Sequence, residues 1–133
     1  ALARCLARQP SVLLLDEPFG ALDEVTRADM QDLLLEVTTG HNTAAVLITH
    51  DIDEALLLSN RILLLGDSPA RTVGEWHIDL PRPRAELVEE MGALRVDILK
   101  TLRRASRNPH PRTESLESPE NGHVPGRLQS HPS

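Results

Sequence analysis

The residues best suited to chemistry are a carboxylate pair and one histidine. Asp16 and Glu17 close the aliphatic run Val12-Leu13-Leu14-Leu15, and His50 closes a second run, Ala44-Ala45-Val46-Leu47-Ile48-Thr49. Burying a carboxylate is costly unless it is paired or bound to a cation. Two of them at the mouth of an apolar strand therefore point to a metal or a reacting group. Neighbours along a strand point to opposite sides, which suits two tasks better than one shared task. One carboxylate can hold Mg²⁺, a hard cation that takes only one or two protein carboxylates beside substrate phosphates. The other can polarise or orient a water molecule, and a positioned base is worth about 10²- to 10⁴-fold in rate. His50 ends the next strand, so it reaches the same rim, where it can touch a phosphate or hold that water. Taken alone, two acids that only cap a turn read as well as two functional acids. A lone histidine at a strand end is more often a hydrogen-bonded structural residue.

The elements that must position these groups follow from the apolar pattern. Short aliphatic runs bounded by turn residues read as buried strands, in a parallel sheet when helices separate them. Pro18 and Gly20 stop the first run. Asp23 is a good N-cap for a helix from Glu24 to about Thr39, whose apolar face is Met30, Leu33, Leu34 and Val37. Gly40 stands where a helix C-cap belongs. Asp51 and Glu54 have capping-box spacing for a short helix through about Leu58. Ile62 to Leu65 is a third apolar run, followed by a turn over Gly66-Asp67-Ser68-Pro69. Thr72 to Leu80 is extended, with Trp76, Ile78 and Leu80 on one face. Pro81-Arg82-Pro83-Arg84 is a stiff connector. Leu87, Met91, Leu94, Ile98 and Leu102 make the apolar stripe of a long helix, a core face or a partner-helix surface. The order predicts an α/β fold with at least three parallel strands flanked by helices. Residues 1–105 form the folded part. From Ser106 to Ser133 the chain is rich in proline and poor in apolar residues, which predicts a disordered tail whose histidines are solvated.

Composition narrows the partners. Aromatic residues are 2% of the chain, with one Trp, one Phe and no Tyr, which is poor material for stacking on nucleic-acid bases. The net charge of -6 argues further against a nucleic-acid backbone as partner. Cys5 is the single cysteine, which excludes an internal disulfide; it reads as a small core residue. No apolar stretch approaches the roughly 20 residues of a membrane-spanning helix. The opening Ala-Leu-Ala-Arg-Cys-Leu-Ala-Arg reads as the middle of a helix inside a larger domain.

The constellation is far more specific than its parts. Leu-Leu-Leu-Asp-Glu-Pro, then Gly-Ala-Leu-Asp, then Leu-Ile-Thr-His-Asp closing a following strand, resembles the ATP-binding subunit of ABC transporters. The resemblance implies a P-loop ATPase fold with ATP and Mg²⁺ as ligands. It places Asp16 on the metal, through water, in the Walker B strand. It makes Glu17 the catalytic glutamate beside the attacking water and His50 the switch histidine at the γ-phosphate. Gly20, Ala21, Leu22 and Asp23 match the D-loop, which meets a second ATP-binding subunit in a homodimer. Ala1 to Arg8 look like the helix after the signature motif. Asp53-Glu54-Ala55 and Asp79-Leu80-Pro81-Arg82-Pro83-Arg84 are similar to the nitrate, sulfonate or taurine importer branch. Transmembrane permease subunits and a peripheral place on the cytoplasmic face of the plasma membrane follow from the same likeness.

The likeness covers Ala1 to about Arg104. No G-x-x-x-x-G-K-[S/T] occurs in the chain, nor a glutamine loop or a Leu-Ser-Gly-Gly signature. In this family all three lie before the point that Ala1 matches, so the chain is read as the C-terminal part of a subunit, inactive on its own. Two other readings stand beside it. One is a non-enzymatic association module made from the same lobe. The other is a different P-loop ATPase, of the chromosome-maintenance or DNA-repair kind, which the net charge and the lack of a coiled-coil arm disfavour.

Overall fold

A computed structural model describes residues 2–66 and 69–108. The elements run α1 (Leu2–Ala7), β1 (Val12–Asp16), α2 (Glu24–Gly40), β2 (Ala44–Ile48), α3 (Ile52–Leu58), β3 (Arg61–Gly66), β4 (Arg71–His77) and α4 (Val88–Arg107). The expected disordered tail begins too early, because α4 runs through Ser106 and Arg107 to a C-cap at Asn108. The rest of that segment, 109–133, lies outside the described residues.

β1 and β2 pair in parallel with Val12 opposite Ala44 and Asp16 opposite Ile48. Helix α2 makes the crossover between them. Asp23 starts it by accepting a bond from the Thr26 amide at 2.9 Å, and a second from the Thr26 hydroxyl at 2.9 Å. These bonds hold the Asp23 carboxyl below its ordinary pKa, the backbone bond most. The helix closes on a C-cap at His41 rather than at Gly40, and Asn42 takes the left-handed turn at φ 53°.

The third apolar run does not extend the parallel sheet. β3 pairs antiparallel with β4, from Arg61 opposite His77 to Gly66 opposite Arg71, with an irregularity between Leu64 and Leu65. β4 follows β3 after four residues, so the local hairpin competes successfully with a distant parallel partner. An apolar run states that a strand is wanted; it does not say which neighbour will pair with it.

Two cores result. Leu13, Phe19, Leu34 and Leu58 are buried together, with Met30, Leu33, Val37 and Leu47 packed on them. Leu56, Ile62, Ile78 and Ile98 form the other, joined by Trp76, Leu80, Met91 and Leu94. The α4 stripe is therefore largely core, with Leu102 left 36% exposed at its far end. Among the described elements, only α3 sends buried residues into both cores, Leu58 into the first and Leu56 into the second.

Two expectations about burial are corrected. β1 and β2 are covered on one face only: Val12, Leu14, Val46 and Ile48 are exposed, Leu14 by 78%. Strand alternation puts these four on the face opposite α2, where none of the described elements packs on them. Cys5 is exposed rather than core, beside the exposed Arg4 and Arg8 on α1 and its end.

The connector after β4 holds the end of α3. Arg82 donates to the carbonyls of Leu57 at 2.8 Å and Leu58 at 3.0 Å. Arg84, 2% exposed, donates to Leu56 at 2.8 Å and Ile78 at 3.2 Å, and also to Leu80 and Ser59. The last carbonyls of a helix have no partner within it, and cations are favoured there. The α3 sequence has no basic residue in its last turn; these two guanidinium groups arrive from the connector instead.

Candidate functional site

Parallel pairing of β1 with β2 brings their carboxyl ends to one edge, the usual place for a ligand in an open α/β sheet. At that edge the Glu17 amide donates to the Ile48 carbonyl at 2.9 Å, extending the ladder by one step. Glu17 itself sits at φ 45°, a left-handed conformation that costs a side-chain-bearing residue about 1–2 kcal/mol. Backbone held in such a region is concentrated at functional sites. Here the turn sends Glu17 across to the next strand while Asp16 keeps the strand's alternation, on the open face with Leu14 and Ile48. The two carboxylates thus diverge.

His50 meets Glu17. The Glu17 Oε1 accepts the His50 backbone N–H at 3.0 Å and lies 2.8 Å from the ring Nδ1. An ionised carboxylate only accepts, so Nδ1 carries the hydrogen and Nε2 faces away from the acid. The hydrogen bond to Glu17, and then its charge, raise the His50 pKa above the ordinary value. The ring is 86% exposed and the Glu17 side chain 40%, so this is an open edge, accessible to a ligand. Both hydrogen bonds fall on Oε1. Among the described residues none falls on Oε2, which is left to face a water or a substrate.

The turn between Glu17 and α2 is held from below. Phe19 is fully buried and anchors it. The Gly20 amide reaches the Glu17 carbonyl at 3.4 Å and the Leu22 amide reaches the Phe19 carbonyl at 3.2 Å. Arg27, one turn into α2, donates to the Leu22 carbonyl at 2.9 Å. Gly20 and Ala21 stay exposed, Leu22 is half-buried, and Asp23 spends its carboxylate on the helix cap.

The donors at this edge suit Mg²⁺ only as a partly hydrated ion. Among the described residues no group of three or more His, Cys, Asp and Glu converges as a complete metal cage. Mg²⁺ beside phosphates needs one or two carboxylates and otherwise keeps water. Asp16 fits that limited demand, as an exposed strand-end carboxylate with no bond to any described residue. Sequence reasoning placed Asp16, Glu17 and His50 on one edge. It missed Glu54, read as the second half of a capping box. The Glu54 amide does bond Asp51 at 3.1 Å, but its carboxylate turns inward to Gln31, 3.3 Å away. The signal was available: Gln31 lies one turn from Leu34, on the face that α2 buries.

No family model matches the chain. Curated proteins do. Over 84 residues it is 57% identical to the nitrate transport protein NasD of Klebsiella oxytoca, covering 62% of this chain and 32% of that protein. Over 105 residues it is 45% identical to an aliphatic sulfonates import ATP-binding protein of Pseudomonas aeruginosa, covering 79% of this chain and 42% of that protein. A bicarbonate transport ATP-binding protein of a Synechocystis species is 45% identical over 112 residues, 80% of this chain and 17% of that protein. The strand ends, the turn and the paired acid and imidazole thus define a portion of an ABC-transporter ATP-binding subunit. Within that class its relatives are nitrate, sulfonate and bicarbonate importers. The chain spans less than half the length of each of these relatives.

Proposed function

We propose that this chain is the C-terminal portion of an ATP-binding subunit that hydrolyses ATP to drive import of a small anion such as nitrate or a sulfonate. The observation that carries this reading is the Glu17–His50 contact at 2.8 Å on the edge formed by β1 and β2. Glu17 acts as the residue that orients water: His50 occupies Oε1, and Oε2 accepts a hydrogen from the water and aligns it with the γ-phosphate. His50 fixes the Glu17 rotamer through Nδ1 and presents Nε2 to the phosphate. Its raised pKa favours the protonated ring, which donates from Nε2 to an anion. Asp16 would hold Mg²⁺, through water, and the ion supplies charge neutralisation on the phosphates when bound. Phosphoryl transfer depends mainly on positioning and charge stabilisation, and these groups supply part of both.

The remaining roles are those that the family resemblance implies. Gly20, Ala21, Leu22 and Asp23 would face a second copy of the subunit across a homodimer. Permease subunits would place the assembly on the inner face of the plasma membrane. None of the described helices is long and apolar enough to cross a membrane. Residues 1–105 would make the ATPase portion and 106–133 a tail that follows it. Phosphate-gripping residues would come from the part of the subunit that this chain does not span.

The test is Glu17→Gln in the intact subunit. Turnover is expected to fall by about 10² or more while ATP binding, followed by a fluorescent nucleotide, stays within a few-fold. Wild-type turnover in this variant would sink the reading.

A further inference from the structure

Gln31 and Glu54 are two of the few buried polar side chains, 9% and 8% exposed, and they face each other across two helices. The Gln31 Nε2 donates to Glu54 Oε2 at 3.3 Å. Gln31 lies on α2, which packs Leu34 against Leu13 of β1, the strand that carries Glu17. Glu54 lies in the first turn of α3, four residues after His50. Asp51 joins the two, since its carboxylate accepts the Glu54 amide at 3.1 Å and its carbonyl accepts the Ala55 amide at 3.1 Å.

The His50 ring has little else to hold it. It is exposed, and Glu17 is its one hydrogen-bond partner among the described residues. Its position is therefore set by the backbone on either side. On one side the β1–β2 ladder fixes Ile48. On the other, the placement of α3 fixes Asp51. The surface pair Asp53–Arg95, at 3.0 Å, also touches the first turn of α3, but both groups are exposed and such pairs contribute little. The Gln31–Glu54 bond is the buried polar tie between that turn and the helix behind β1.

We propose that the Gln31–Glu54 hydrogen bond is a positioning contact for the site: it sets the first turn of α3 relative to α2 and so holds His50 against Glu17. This rests on the hydrolytic reading above. Neither residue touches substrate. Losing the tie leaves a buried carboxylate or amide without its partner, and α3 then moves to let the orphaned group reach water. A shift of about 1 Å in a positioning element is enough for rate losses of up to 10²-fold.

The experiment is steady-state ATPase kinetics on the intact subunit. Glu54→Ala should lower kcat by about tenfold or more, with KM for ATP within about twofold, because the phosphate-gripping groups lie elsewhere. Gln31→Met removes the donor, keeps the volume, and should do the same; it stands in should Glu54→Ala not fold. The exchange variant Gln31→Glu/Glu54→Gln restores the bond in reverse and should recover kcat to within about threefold. A melting temperature that falls while kcat holds would overturn the proposal, as would an exchange variant no better than the single changes. Glu17→Gln run alongside separates the two failures. If Glu17→Gln is fully active, the hydrolytic reading falls; if it is inactive and Glu54→Ala is not, only the positioning role falls.

Discussion

The two halves of the molecule bury their sheets differently. The hairpin of β3 and β4 covers its inner face with α4 and dresses its outer face with its own polar groups. Arg61 donates to Glu75 at 2.6 Å and His77 lies 3.2 Å from the same oxygen, on the face where Leu63, opposite Glu75, and Leu65, opposite Thr72, are also exposed. The Arg61 bond is also the main reason that the Glu75 carboxyl lies below its ordinary pKa. The parallel pair of β1 and β2 covers its inner face with α2, but its outer face carries Val12, Leu14, Ala44, Val46 and Ile48, with Asp16 as its only charged group. A hairpin brings its partner with it and can complete its own surface. A parallel pair leaves its second face to whatever layer packs on it. The half that is less complete is also the half that holds the acid and the imidazole.

The sharpest way to break this comparison is to empty each core in turn. Phe19→Ala and Ile98→Ala each remove a side chain that is 2% exposed or less, and should cost about 3–5 and about 2–5 kcal/mol respectively. If the halves are distinct units, amide exchange after Phe19→Ala should rise in β1 and β2 before β3 and β4, and the reverse after Ile98→Ala. Uniform loss of protection in both variants would show one cooperative core instead.

Arg84→Met tests the joint between them. Four carbonyls, Leu56 and Ser59 at the end of α3 and Ile78 and Leu80 after β4, lose their guanidinium donor, and a few kcal/mol should be lost, on the order of 3. Both halves should loosen together, since α3 contributes to both cores. Chemical denaturation followed at Trp76 reads the hairpin side, and exchange at Leu13 reads the other.

The smallest effect concerns pH. The folded pKa of His50 is raised by Glu17, so the pair stabilises the fold fully below the histidine's ordinary pKa. That contribution is lost as pH rises through the raised value. Glu17→Gln should return the His50 titration, followed by the imidazole proton resonances, towards its ordinary position. An unchanged midpoint would show that the contact is not kept in solution.

Much of the site was legible because its signals are local. Asp16 and Glu17 close an apolar run, His50 closes the next one, and Asp23 and Asp51 each stand one residue before a helix, where their side chains cap it. The α2 face of Met30, Leu33, Leu34 and Val37 was readable for the same reason, since a helical period shows within four residues. The left-handed turn at Glu17 was not readable, because nothing in its residue type demands a positive φ.

The sequence by itself therefore determined the strands, the helices and the rim residues, each specified by neighbours a few positions away. Tertiary structure decided the rest: β3 with β4 rather than with the parallel pair, Glu54 turned to Gln31 rather than back to its own helix, and Arg82 and Arg84 on the end of α3. The Gln31, Arg82 and Arg84 contacts join residues more than twenty positions apart, and the strand pairing is a contest between a near partner and a distant one. No local pattern carries that information.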